Sequence, residues 1–432
     1  MRITTAIIVL LILSFISLSS VISADDGYAL VNATIIPVTG NVIENGTLII
    51  KGNQIVDVGR NVDVPPGTKE IDCSGLYVYP GMINAMSTLG LSEIGAVPVT
   101  NDANEVGTYN AHLKAIVAVN VHSVHIPITR VNGITTALVV PRGGIISGQS
   151  VLLNLAGWTP EEMSLKSPAA IHINFPQTSE RTQRRSDTSS GSTEDASKRV
   201  QKQRGELMEV FERAKVYAKA WQFFKDNPQS TAPERDLTLE ALVPVVQGEL
   251  PVIIHVNRDK DIKSAVEFAE KLSLKYILAG VTDGWKIADY LAEKNAPVLF
   301  GSVIGMPDSK EPYDTRYASA GIMHDAGVKV AIYNDGYADV RSLPYHAGTA
   351  AAFGLPKEEA LKAVTIYPAQ ILGVDDKIGS LEIGKLANIV IADGDILEMR
   401  TKIKHLFING ENISLESKHT KLYEKFRARP KK

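Results

Sequence analysis

Between residues 80 and 374, short runs rich in β-branched residues alternate with helix-like segments. This alternation constrains the fold more than any other feature of the chain. The pattern belongs to a parallel α/β architecture. Strand candidates are Met82–Met86, Ile134–Val140, Val151–Leu155, Ala169–Phe175, Pro251–Val256, Tyr276–Gly280, Pro297–Gly301 and Val328–Tyr333. Eight strands match a barrel, with Val151–Leu155 open between a barrel strand and a side hairpin. Asp261 to Leu272 places Ile262, Ala265, Val266, Phe268, Ala269 and Leu272 at helical spacing. Trp285–Ala292 and Lys357–Val364 are similar.

The two ends of the chain read differently. Ala29–Ile36 and Gly46–Gly59 carry β-branched residues between Gly and Asn turns, which predicts hairpins. Gly384–Ile391 and Ile403–Ile408 repeat the pattern near the other end. The economical arrangement is a composite β-domain from residues 25–79 and 375–415, with the barrel of 80–374 inserted between. Within that barrel, a polar insertion spans about residues 178–225. Its first part is rich in Arg and Ser and reads as a surface loop, and Glu206–Lys225 reads as a long helix. Residues 416–432 form a basic tail, expected to fray.

Arg2, the apolar run from Ala6 to Ile16 and the serines that follow have the form of a secretory leader over residues 1–24. The run is short for a membrane span. The expectation is a secreted or periplasmic protein with no stable membrane insertion after cleavage. Cys73 is the only cysteine, so no internal disulfide forms. With 44% hydrophobic and 22% charged residues and a formal charge of −3, a packed core is expected and nothing asks for nucleic acid.

Four blocks carry a resemblance. Tyr79-Pro80-Gly81-Met82-Ile83-Asn84-Ala85-Met86-Ser87-Thr88-Leu89-Gly90-Leu91 resembles the first barrel strand of the amidohydrolase superfamily, where members read Pro-Gly-Leu-Ile-Asp-Ala-His-x-His. Val131–Pro141 is similar to the strand after the first helix, and Val330–Gly336 to the last barrel strand. Ala360–Gly373 with Gly379–Lys385 matches the passage from barrel exit to β-domain. Gly143–Ser150, Gly157-Trp158-Thr159 and Arg341–Tyr345 resemble an exported, imidazolonepropionase-like branch. The resemblance implies an α/β fold: a distorted TIM (β/α)8 barrel with a small composite β-sandwich formed by both chain ends.

The resembling enzymes bind one or two divalent metals at the C-terminal ends of the barrel strands. Such a metal lowers the pKa of water to about 7 and polarises the scissile carbonyl. A His-x-His works because residues i and i+2 share one face of a strand. Here Met86 and Thr88 stand at those two positions, and Ala279 stands where the sixth strand places a histidine. A thioether and a neutral hydroxyl suit Zn²⁺ or Mn²⁺ poorly. His255 and Asp335 remain as catalytic and metal-ligand candidates, and an aspartate without metal can still act as a general base. His172 is open between facing the site and a structural role, the structural role being the ordinary one. Arg258, Arg341, Gln149 and Tyr345 are substrate-binding candidates, the arginines because they can grip a carboxylate in two places. The cofactor expectation is one divalent metal, Zn or Mn, or none.

Two functions follow. One is a hydrolase of non-peptide C–N bonds, in amides or cyclic amides, with a reduced metal site and a small-molecule substrate. The alternative is a non-catalytic barrel that binds a small molecule or peptide in the exported compartment. Metal-free isomerase or lyase chemistry by His255 and Asp335 is a weaker third.

Overall fold

The computed structural model describes residues 27–177, 193–301, 303–307 and 311–429. The leader segment 1–24, residues 178–192 of the polar insertion and the last three residues of the basic tail lie outside the described residues.

The inserted segment forms a ring of strands: β1 (Met82–Ser87), β2 (Ile134–Val139), β3a (Ile146–Gln149) running into β3b (Val151–Asn154), β4 (Ile171–Asn174), β5 (Val252–Val256), β6 (Tyr276–Gly280), β7 (Val298–Gly301) and β8 (Val330–Tyr333). Strands β4 through β8 are parallel in sequence order, and β1 pairs parallel with β2. The third member runs against the others. Its first half pairs antiparallel with β4 and its second half antiparallel with β2. Val151–Leu155 is therefore part of the ring, and half of the glycine-rich Gly143–Gly148 segment is strand rather than loop.

The ring meets itself between β8 and β1 through a side chain. Asn84 Nδ2 donates to the backbone oxygen of Asn334 at 2.9 Å, and Asn334 N donates to Asn84 Oδ1 at 2.8 Å. One amide side chain thus replaces a pair of ladder bonds, and a further Asn84 bond to Met86 O at 2.9 Å fixes its orientation. At the neighbouring seam, Gly81 lets β1 approach β2. A Cβ there would lie 2.1 Å from Thr135 Oγ1.

Strand alternation divides the core. Ile83, Leu138, Leu152, Ala170, Ile253, Ile277, Leu299 and Ala331 pack inside the ring, while Ile134, Ile171, Val252, Ile254, Leu278, Val298 and Val330 face the outer helices. The amphipathic helix Asp259–Leu272 buries the six apolar positions expected of it and ends on Ser273 in the left-handed region.

The helical part of the insertion spans Thr193–Asp226 and docks on this outer layer. Leu207, Phe211 and Ala214 are fully buried. Arg204 pairs with Asp261 at 2.5 Å, donates to Pro176 O at 2.9 Å and stacks over Phe175. Burying a side chain such as Phe211 is worth about 1.5–3 kcal/mol. This segment is anchored packing rather than a solvated excursion.

Strands from both ends join in one sheet, ordered Glu411–Asn412, Ile403–Ile408, Ile389–Ala392, Tyr77–Pro80, Tyr28–Ile35, Ile43–Lys51 and Gln54–Gly59, with Lys69–Asp72 branching from Tyr28–Ile35. These strands form one continuously bonded sheet around its own apolar cluster, which includes Leu30, Leu48, Ile389 and Phe407. Cys73 is buried in it, and burial pushes its thiol up to about 11. The basic tail does not fray at once. Ser417 and Thr420 form a capping box, and Lys418–Arg427 is helical. Among the described residues, no helix is long and apolar enough to cross a membrane.

Candidate active site

Four charged or titratable side chains gather where parallel strands of the ring end. His255 is the fourth residue of β5, beside Asn174 of β4 and Ala279 of β6 in register. His172, on the same inward face of β4, places Nδ1 2.9 Å from His255 Nε2. Asp335 follows β8 by two residues and Arg142 follows β2 by three. Arg142 Nη2 lies 2.8 Å from Asp335 Oδ1 and donates to Asp335 O at 2.9 Å. Both side chains of this pair are over 40% exposed, so the pair opens to solvent while the histidines lie below it.

The histidine contact admits one proton between the two rings. His172 is fully buried and its Nε2 has no partner among the described residues. A bare ring nitrogen costs less there than an orphaned N–H. His172 Nδ1–H is therefore the donor and His255 Nε2 the acceptor. Burial lowers the pKa of His172 well below the ordinary range, and the His255 ring adds to this. Burial and the Arg142 charge push His255 down to about 4, against the pull of Asp335. His346, packed behind Asn334 with Nε2 3.1 Å from Asn334 Nδ2, also falls to about 4 through burial.

These depressed values make stability depend on pH. An unfolded chain takes up protons near the ordinary histidine value of 6.5, whereas folded His255 and His346 refuse them down to about 4. Their contribution is complete above 6.5 and is lost as pH falls towards 4, at most about 3 kcal/mol each. Denaturant midpoints measured from pH 7 to 4.5 should fall steadily. His346→Gln should flatten that slope, and an unchanged slope would remove His346 from the account.

Around the cluster the interior is apolar. Met86 and Ala279 pack with Val140, Leu299, Ala331 and Tyr333, and Thr88 is 5% exposed. Gly301 makes room for the Tyr333 ring, since a Cβ would lie 2.4 Å from its Cζ. Burial, then the nearby Asp335, raise the Tyr333 hydroxyl far above its usual range. Among the described residues, no group of three or more His, Cys, Asp or Glu is disposed to hold a metal ion.

The other candidates scatter. Gln149 is buried and donates its amide to Ala111 O at 3.0 Å. Arg258 pairs with Asp283 at 3.5 Å. Arg341 lies 3.3 Å from His419 Nδ1 of the tail helix, and Tyr345 OH accepts from Asn132 Nδ2 at 3.4 Å. Asn132, just before β2, also donates to Arg341 O at 2.7 Å, so both residues are tied to the segment that leads into β2. One residue of the cluster, Arg142, was missed, and His172 was read mainly as structural. Arg142 stands directly after the second strand, which is a readable signal. His172 differs from a core histidine only through its partner, which sequence does not show.

Residues 249–413 match the amidohydrolase family. The imidazolonepropionase of Syntrophobacter fumaroxidans is 40% identical over 83 residues, 18% of this chain and 20% of that protein. The N-acetylglucosamine-6-phosphate deacetylase of Caenorhabditis elegans is 30% identical over 117 residues, 26% of each chain. The chain thus aligns with about a fifth to a quarter of these relatives' length. An amidohydrolase from Thermotoga maritima MSB8 superposes with a TM-score of 0.79 over 90% of this chain and 99% of that one, at 25% identity. The ring and its added β-domain form a TIM-barrel-like α/β fold, similar to this amidohydrolase over nearly the whole chain and to the amidohydrolase family over residues 249–413.

Proposed function

We propose that the chain is an exported hydrolase of non-peptide C–N bonds in small amides or cyclic amides, working at Asp335, Arg142 and the His172–His255 pair. The family match and relatives that act on such bonds support the reaction class. The observation that carries the site is the convergence of these four residues at the mouth of the ring.

The family's usual divalent metals fit this donor set poorly. His172 Nδ1 and His255 Nε2 are turned to each other, so one lone pair is already engaged. The Asp335 carboxylate is held by a guanidinium, and a divalent cation there would meet the Arg142 charge. Met86 and Ala279 offer no ligand worth the name. We therefore read the site as reduced. In that reading Asp335 takes a proton from the attacking water as the C–O bond forms. It then returns the proton to the leaving nitrogen as the C–N bond breaks. Arg142 supplies positive charge for the developing oxyanion. His255, neutral at physiological pH, orients water rather than serving as a standing acid.

The second reading is a binding barrel without catalysis. The Arg142–Asp335 ion pair favours it, because the pair already neutralises the carboxylate. Metal content and turnover separate the two. The purified protein should carry far less than one equivalent of Zn or Mn. It should hydrolyse at least one member of a panel of N-acyl and cyclic amides without added metal. Failure on the whole panel, with and without metal, would leave the binding barrel. A stoichiometric metal required for turnover would overturn the reduced site.

A further inference from the structure

A second candidate site lies at the opposite rim of the ring. Because β3b runs against its neighbours, it delivers Leu155 to the rim where β2 begins, and Leu155 N donates to Thr135 O at 2.8 Å. The short helix His125–Arg130 ends beside it. Between them is a half-open cleft of about 260 Å³, whose lining includes His122, Ser123, Ile126, Arg130, Leu155 and Met163.

Arg130 is the unusual member. Its Nη1 donates to Leu155 O at 3.0 Å, and its buried Nε has no hydrogen-bond partner among the described residues. No carboxylate pairs with it among the described residues, and burial lowers its pKa with no acidic neighbour to oppose the shift. A partly desolvated cation normally has a counter-charge. Ser123, just before the helix, also lines the cleft and is 2% exposed. Its hydroxyl oxygen accepts from His125 N at 3.3 Å, which leaves the hydroxyl proton without an acceptor among the described residues. The cleft therefore offers a positive charge where the helix ends and a buried hydroxyl where it begins. Ile126, Leu155 and Met163 form an apolar wall.

We propose that this cleft binds a small organic acid, with its carboxylate on Arg130 and its apolar body along that wall. One guanidinium balances a monoanion, and the apolar wall disfavours inorganic phosphate. A cavity of about 150 Å³ houses benzene, so about 260 Å³ holds roughly ten non-hydrogen atoms. Benzoate and hexanoate are of that size.

Calorimetric titration of the full chain tests this with four probes: benzoate, hexanoate, acetate and inorganic phosphate. Benzyl alcohol serves as the neutral control. The expected result is one-to-one saturable binding of benzoate or hexanoate. That binding should be at least tenfold tighter than acetate, phosphate or benzyl alcohol. Arg130→Gln should weaken it tenfold or more, and Arg130→Lys should lose less. Ala156→Phe, which fills the cleft without touching the charge, should also abolish it, and decides the matter if the Arg130 variants do not fold. Absence of saturation, phosphate binding as tightly as benzoate, or binding indifferent to Ala156→Phe would each overturn the proposal.

Discussion

Asn84→Leu is expected to destabilise the protein by about 2–6 kcal/mol, measured as a shift in denaturant midpoint at constant slope. Leucine is nearly the same size, so the loss is polar rather than steric. Asn84 is fully buried and bonds both backbone groups of Asn334, which is itself 8% exposed. Removing the amide strands a buried N–H and a buried C=O, each worth about 1–3 kcal/mol when unsatisfied. Asn84→Asp is a sharper probe. It keeps the acceptor for Asn334 N but loses the donor to Asn334 O and Met86 O, so it too should destabilise. A change under about 0.5 kcal/mol in both variants would show that the ring does not depend on this closure.

Asp335→Asn should lower kcat/KM on any accepted amide by about 10²–10⁴-fold if the aspartate is the general base. The same variant should leave stability within about 1 kcal/mol, because its partner Arg142 is exposed and such pairs contribute little. Arg142→Met should also depress turnover, through loss of charge at the oxyanion. It should in addition raise the value of His255, whose proton affinity the guanidinium suppresses. Histidine titration followed by NMR reads that shift independently of any substrate. A binding barrel would show the histidine shift and no catalytic loss, since there would be none to lose.

Much of this arrangement was legible from residues alone. Each of the eight candidate segments is a strand of the ring, because buried parallel strands are near-continuous β-branched runs. The joining of the ends was visible in their turn-bounded hairpin pattern. The direction of the third strand was not legible. Gly143, Gly144 and Gly148 suggested a loop, and nothing local distinguishes a strand that runs up from one that runs down. The site was half legible. His255 and Asp335 were marked by their places at strand ends. Arg341 and Tyr345 are engaged by His419 and Asn132 instead, and a partner such as His419 lies in a tail that sequence reads as loose.

The shared sheet also has a consequence in time. Its central pairing joins Pro80 to Ile389, so about 300 residues must be made between the two partners. At about 5–20 residues per second, synthesis of that stretch takes roughly 15–60 s. Throughout that interval the strand Tyr77–Pro80 presents one edge with nothing from its own chain to cover it. An uncovered strand edge is a template for pairing with other chains. A nascent chain of this design therefore has reason to be escorted, and its yield should depend on chaperone supply more than its folded stability suggests.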